Sequence, residues 1–426
     1  METIQAYLER KHRELGLLND CLRHRLDLPR PRSVDEVISA KFQLTAALRA
    51  EHELHEWKAT ETAWSHTADP VSGPFEFSYD YQRADLTVRG PSFYELDGGR
   101  ASTAIYTAAG MAAISAVLLA SAQIVEKADI LVLPGSYGET LELIRGFVPH
   151  LRLVALNLPL GDALARTNSP RILLLDSCSV AGAFEAVLRC DGSGVDLLVC
   201  DTTCFAGRSG RVRRVLSWAR RYDVPLVLVR SHNKLDSLGA EYGRLGSAVF
   251  VDGNEPRTEH PWARLACETR NAVRLLGSAA LPAHFPPFVG SAAYWDLTQR
   301  RVAAILRNGR SMARHFAAKL PELSAELHFA HGLYVTLRGR HPLDEASARQ
   351  AAEDMSKNLR AEGFPIRHAG SFGFDFAATE WFHDATTDRY SVRVAVSDLP
   401  TEMWGDLTVA IARWWRDHQS ARVGEE

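Results

Sequence analysis

Four stretches of this chain carry residue types whose spacing could support covalent chemistry. Lys234 stands in VPLVLVRSHNKLDSLG, where an apolar strand, Val224 to Val229, runs out into a polar loop. Open α/β sheets place ligands at the carboxyl ends of their strands, and a lysine there can form an imine with an aldehyde cofactor if its pKa is lowered. Asp201, in GVDLLVCDTTCFAGRSG, also follows an apolar strand. A carboxylate so placed can pair with a protonated pyridine nitrogen and make the ring an electron sink. Gly110, in TAAGMAAISAV, opens a helix of small residues whose first N–H groups would cradle a phosphate. Tyr137, in LPGSYGETLELI, lies between a strand and a helix, where its ring could stack on a flat cofactor. Each has an ordinary reading too: a solvated lysine, a capping or turn aspartate, a packed core helix, a core tyrosine.

Such residues need strand ends to hold them. From about residue 101 the sequence alternates helices with short apolar runs. Strands are expected at Ile130–Leu133, Leu151–Leu156, Ile172–Leu175, Leu197–Cys200 and Leu226–Val229, with helices at Gly110–Ser121 and Arg211–Tyr222. That alternation predicts an α/β domain built on a mainly parallel sheet covered on both faces. Further on, the pattern predicts helices at Ala292–Lys319, Glu345–Glu362 and Thr401–His418, with short strands near Leu327, Tyr334, Ile366 and Val392. The expected organisation is an N-terminal helical arm (1–70), a large domain (71–287) and a smaller α+β domain (288–426). In the arm, Ile4, Tyr7, Leu8, His12, Leu15 and Leu18 recur at helical spacing, and Ser33 with Glu36 forms a capping-box pattern.

The order of the four stretches, with Lys234 about thirty residues beyond Asp201, is that of aspartate-aminotransferase-like (fold type I) enzymes of pyridoxal 5′-phosphate (PLP). The chain resembles the cystathionine γ-synthase / methionine γ-lyase family among them. ELDGGRASTAIYTAAGMAAIS is similar to that family's LEGG…A…SGMAAI segment, and SYGETLELI to its YGGTY. LLVCDTTCF is similar to VVDNTFATP, and SHNK to the S-x-T-K lysine motif. The resemblance implies that Lys234 forms the Schiff base and moves protons, that Asp201 holds the pyridinium N–H, and that Thr203 lies beside the ring. It implies that Tyr137 stacks on the ring and acts as general acid, and that the Gly110 and Met111 N–H groups bind phosphate. Ser231 and Asn233 match the residues before the lysine. Arg393, in YSVRVAVSDLP, matches the arginine that grips the substrate carboxylate, with Arg389 as its rival. Ser371 and Ser177 fall at substrate-side turns.

The chain also departs from the family. DSCSVAG replaces ESPxNP, and the element through which a neighbouring subunit donates Tyr and Arg is reduced to Tyr79, Tyr81 and Arg83 in SYDYQRAD. Beyond the lysine, GRLG is similar to aminotransferases of classes I and II and offers Arg244 to the phosphate. The expected function is PLP-dependent lyase or transferase chemistry: Cα deprotonation of an amino acid, then β- or γ-elimination or replacement, as in a specialised biosynthetic enzyme. An aminotransferase is the alternative, and a catalytically silent scaffold the second. Retention of both Lys234 and Asp201 speaks against the scaffold.

Bulk properties agree with a small-molecule enzyme. The 426 residues carry 49 basic and 52 acidic side chains, a net charge of −3, so no electrostatic case for nucleic acid arises. No apolar run approaches the length of a membrane span, and METIQAYLERKHREL lacks the apolar core of a signal peptide. A cytoplasmic homodimer or homotetramer is expected. The six cysteines form no CxxC pair; reduced structural thiols, and no metal, are expected.

Overall fold

The computed structural model describes residues 2–56, 73–78, 86–96, 102–251, 260–320, 325–326, 332–339, 342–384 and 388–423. The chain divides into two compact units: Leu48–Ser237 with Tyr242–Ser291, and Met1–Ala47 with Leu238–Glu241 and Ala292–Glu426.

The chain opens on α1 (Ile4–Asn19) and α2 (Val34–Glu56). Thr3 caps α1 through Oγ1, which accepts from Ala6 N. Ser33 Oγ accepts from Glu36 N, while the Glu36 carboxylate accepts from Arg32 N, one residue before the usual partner in a capping box. Strands β1 (Glu76–Ser78) and β2 (Thr87–Arg89) pair antiparallel.

The remaining elements of the larger unit run β3 (Ser102–Thr107), α3 (Gly110–Ser121), β4 (Ala128–Val132), α4 (Gly138–Phe147), β5 (Leu151–Ala155), β6 (Arg171–Asp176), α5 (Ala181–Val187), β7 (Leu197–Asp201), α6 (Gly210–Arg221), β8 (Leu226–Ser231), β9 (Gly246–Val251) and α7 (Leu265–Leu276). Seven strands form one sheet in the order β3-β9-β8-β7-β6-β4-β5. Among the described strands of this sheet β4 to β8 run parallel to one another, and only β9, wedged between β3 and β8, runs antiparallel to the rest. β4, β6 and β7 are buried along their whole length, which is why they read as unbroken apolar runs. The small residues of α3 let it lie close on the sheet: Ala113, Ile114, Ala116 and Val117 join Ile130, Ile172, Val199 and Val227 in one core.

The smaller unit adds α8 (Ala292–Lys319), β10 (Ala325–Glu326), β11 (Tyr334–Leu337), α9 (Glu345–Ala361), β12 (Ile366–His368), β13 (Ala377–Asp384), β14 (Arg389–Ala395) and α10 (Thr401–Val423). Its sheet order is β10-β11-β14-β13-β12. Leu327, expected in a strand, lies outside the described residues.

The N-terminal helix buries Tyr7, Leu15 and Leu18 of the face that apolar spacing suggests, but turns that face toward charged residues as well. Its buried stripe is Tyr7, Arg10, Lys11, Glu14, Leu15 and Leu18, while Ile4 and His12 are exposed. The reason is a buried ion cluster within this unit. Lys11 Nζ donates to Glu14 Oε2 (2.9 Å) and lies 2.7 Å from Asp398 Oδ2, and Arg10 pairs with Asp398. Lys41 of α2 reaches Glu14 Oε2 at 3.0 Å and the Leu238 carbonyl at 2.7 Å. Arg301 of α8 pairs with Asp375 and donates to the Gly373 carbonyl at 2.8 Å. Burial alone would raise the carboxyl of Asp398, but Arg301, Lys11 and Arg10 outweigh it and hold it well below the usual range. The charges pull α1, and with it residues 1–47, into the unit built by the C-terminal third of the chain.

Candidate active site

Because β6, β7 and β8 are parallel neighbours, their carboxyl ends lie side by side, and Asp176 pairs in register with Asp201. Asp201 is buried, and its Oδ1 accepts from Thr203 N at 2.7 Å. Thr203 Oγ1 in turn accepts from Ser231 N at 3.0 Å, tying the exit of β7 to the exit of β8. From Ser231 the chain passes through His232 and Asn233 to Lys234, which is partly buried. The Lys234 carbonyl accepts from Ser237 Oγ at 3.4 Å.

Asp176, which the sequence analysis does not single out, stands at the same strand ends beside Asp201. Its two oxygens accept from Tyr137 N and Cys178 N, each at 2.7 Å. Burial, and next the charge of Asp201, push its carboxyl up to about 7. Burial raises Asp201 as well, but the hydroxyl and N–H of Thr203 and the charge of Arg230 oppose that rise. The negative charge of the pair therefore favours Asp201 and the proton favours Asp176. The signal was available: an acid at the end of the run Ile172–Leu175, one strand over from Asp201.

The start of α3 lies against the same strand end. A Cβ built on Gly110 would fall 2.9 Å from Ser231 Cβ, and one built on Gly246, at the start of β9, would fall 2.2 Å from the Ala109 carbonyl oxygen. Glycine at both positions is what lets these backbones meet. Ala109, the N-cap of α3, is extended and supplies no side-chain cap. The first-turn N–H groups of Gly110 and Met111 thus open the helix with no capping side chain from Ala109, an arrangement suited to an anion. Met111 Sδ receives Thr140 Oγ1 at 3.7 Å, which links this helix to α4 one turn beyond Tyr137. Tyr137 is the N-cap of α4, partly buried and held through its N–H by Asp176. Asn233 Oδ1, beside Lys234 in sequence, is buried without a hydrogen-bond partner among the described residues. An anion-ready helix start, a buried carboxylate, a lysine and an orphaned amide oxygen at one set of strand ends fit a phosphorylated pyridine aldehyde.

Other expected residues are placed as follows. Ser177 is buried; its N–H donates to the Asp201 carbonyl at 2.9 Å and its Oγ accepts from Cys204 N at 3.0 Å. Arg244 is exposed on the loop before β9, and its carbonyl accepts from His284 Nδ1 at 3.0 Å. Arg393 and Ser371 belong to the smaller unit. Arg393 is buried, pairs with Glu380 Oε1 at 2.7 Å, and is held between the rings of Tyr334 and Phe382, 4.5 and 4.4 Å from their centres. Its rival Arg389 is exposed. Ser371 is partly buried in the turn where its N–H donates to the Ala369 carbonyl. Tyr79, Tyr81 and Arg83 lie outside the described residues. Among the described residues no group of three or more His, Cys, Asp or Glu could hold a metal, and no helix is long and apolar enough to cross a membrane.

The fold is the aspartate-aminotransferase-like (type I) fold. The chain is similar to the crystal structure of cystathionine γ-synthase from Xanthomonas oryzae pv. oryzae in complex with cystathionine, with 18% identity and a TM-score of 0.54 over 88% of this chain and 98% of that one. It is also similar to an O-acetylhomoserine (thiol)-lyase from Campylobacter jejuni carrying an N′-pyridoxyl-lysine-5′-monophosphate. There the identity is 14% and the TM-score 0.51, over 74% of this chain and 82% of that one. No protein-family model matches the chain, and no curated protein matches it by sequence.

Proposed function

We propose that this chain is a PLP-dependent enzyme that removes the Cα proton of an amino acid and then eliminates or replaces a group at Cβ or Cγ. One observation carries the reading: Asp201 at the end of β7 and Lys234 just beyond β8 stand on adjacent parallel strands, stapled by Thr203 and flanked by the uncapped start of α3. The similar structures support it by what they are, a γ-synthase and a thiol-lyase.

When bound, PLP supplies an aldehyde that condenses with amines and a ring that stores the electrons of a broken Cα bond. The chain's residues do the rest. Lys234 would offer the amine that anchors the cofactor and, when its amine is free, would take the Cα proton of the substrate. Asp201 stays ionised to hold a proton on the ring nitrogen, while Thr203 fixes the orientation of its carboxylate. The N–H groups of Gly110 and Met111 hold the phosphate. Tyr137 is assigned to stack on the ring and to donate a proton to the departing group.

The test is incubation with a panel of amino acids bearing β- or γ-leaving groups, with products identified by mass. Release of ammonia, oxo acid or a replacement product supports the proposal. Stoichiometric conversion of the cofactor to pyridoxamine phosphate, with amine passed to an oxo acid, would instead establish transamination.

A further inference from the structure

We infer, resting on the assignment of Lys234 as the cofactor lysine, that Arg230, His232 and Asp236 form a buried clamp that positions Lys234. The three stand four and two places before the lysine and two places after it. All three are essentially inaccessible to solvent. Arg230 grips Asp236 with two parallel bonds, Nε to Oδ2 at 2.6 Å and Nη2 to Oδ1 at 2.7 Å. This fork-on-carboxylate geometry fixes direction as well as distance. His232 Nδ1 lies 2.8 Å from the same Oδ2, and its Nε2 lies 2.9 Å from Ser247 Oγ on β9.

The partners fix the imidazole's proton. A carboxylate only accepts, so Nδ1 carries hydrogen and donates to Asp236. Burial outweighs the opposing pull of Asp236 and, with Arg230 adding to it, lowers His232, which favours the neutral ring. Nε2 is therefore an acceptor, and the Ser247 hydroxyl donates to it. Burial alone would raise Asp236, but Arg230 and His232 outweigh it and hold it at about 2. The clamp is thus one cation, one anion and one neutral ring, each with its polar atoms engaged.

It closes the loop on both sides of Lys234 and ties it to β8, to β9 and to the exit of β7. Arg230 belongs to β8 and Ser247 to β9. Arg230 Nη1 also donates to the carbonyl of Thr202, the residue after Asp201, at 2.8 Å. The Thr202 hydroxyl shares a 2.6 Å hydrogen bond with Tyr94, over whose ring Arg230 lies. Phe93 packs on His232 with 3.9 Å between ring centres. The backbone that carries Lys234 is thereby braced against the backbone that carries Asp201. A lysine stem is flexible, so the place of its Cα decides whether the amine meets a ring anchored elsewhere. A misplacement of about 1 Å in such a constellation can cost a hundredfold in rate. These are positioning residues, because none of them is argued to touch cofactor or substrate.

The test is the rate at which cofactor-free full-length protein captures PLP at residue 234, measured by borohydride quench and peptide mass, beside the melting temperature. His232→Ala is expected to slow capture about ten- to a hundredfold. His232→Gln is expected to restore it to within about threefold, since the Gln amide can donate to Asp236 and accept from Ser247. Ser247→Ala, which removes only the hydroxyl that donates to Nε2, is expected to slow capture a fewfold and keeps the test open should His232→Ala not fold. Wild-type capture rates in these variants, with a lowered melting temperature alone, would overturn the clamp and leave a merely structural network. Failure of the wild-type protein to label Lys234 would overturn the cofactor assignment itself, and the clamp with it.

Discussion

Replacing Asp176 with Asn isolates the electrostatics beneath the site. Asp176 is fully buried next to Asp201, and burial followed by that neighbour pushes its carboxyl up to about 7. A carboxyl that holds its proton more tightly folded than unfolded favours folding most at low pH. That contribution is complete below an unfolded carboxyl's ordinary value of about 4 and is lost as pH rises through about 7. Over that interval of about 3 units the loss reaches about 4 kcal/mol at pH 8. Asn cannot ionise, so the variant escapes this loss. It does forfeit one of the oxygens that accept from Tyr137 N and Cys178 N, a pH-independent cost of about 1–3 kcal/mol. Asp176→Asn should therefore melt below wild type at pH 4, where wild type has lost almost nothing, and level with or above it at pH 8. The assay is thermal unfolding of cofactor-free protein across that range, where about 1 kcal/mol corresponds to about 2–4 °C for a domain of 150–250 residues. A gap between variant and wild type that stays constant from pH 4 to pH 8 would refute the assignment of the proton to Asp176.

Asp201→Asn should still bind PLP, but exchange of the substrate Cα proton with solvent, followed by NMR in D₂O, should slow severely because the ring nitrogen loses its anionic partner. Tyr137→Phe should keep Cα exchange and lose about 10²–10⁴-fold in product release; full turnover would remove Tyr137 from the acid role. In the smaller unit, Lys11→Met takes one cation from the carboxylates of Glu14, Asp375 and Asp398. Leaving a buried pair half-broken costs about 3–5 kcal/mol, so the variant should melt well below wild type at neutral pH; unchanged melting would show that the remaining cations suffice.

What could be read from sequence followed burial. The runs Ile172–Leu175, Leu197–Cys200 and Leu226–Val229 announce β6, β7 and β8 because strands buried on both faces must be apolar throughout. Helix α3 was legible to the residue, since its small side chains begin at Gly110 and end at Ser121. β13, AATEWFHD, was not: half of it is only partly buried and it is defined by pairing with β14 and β12. The buried face of α1 was legible in part, at Tyr7, Leu15 and Leu18; the rest was not, because Arg10, Lys11 and Glu14 look solvated until Asp375 and Asp398, more than 350 positions away, are brought to them. At the site, Asp201 and Lys234 stood out because each follows an apolar strand. Asp176 did the same and was overlooked in favour of Ser177. The Arg230–Asp236 pair has no periodic signature at all; it exists because the chain turns back on itself around Lys234.

The most direct measurement is the site of covalent attachment. Protein incubated with PLP should develop absorbance near ~420 nm, and borohydride reduction followed by proteolysis should place the phosphopyridoxyl mass on the peptide containing Lys234. Lys234→Ala should abolish both signals. A reduced adduct that persists in that variant, or that maps to another lysine of the wild-type chain, would contradict the assignment on which the proposed chemistry rests.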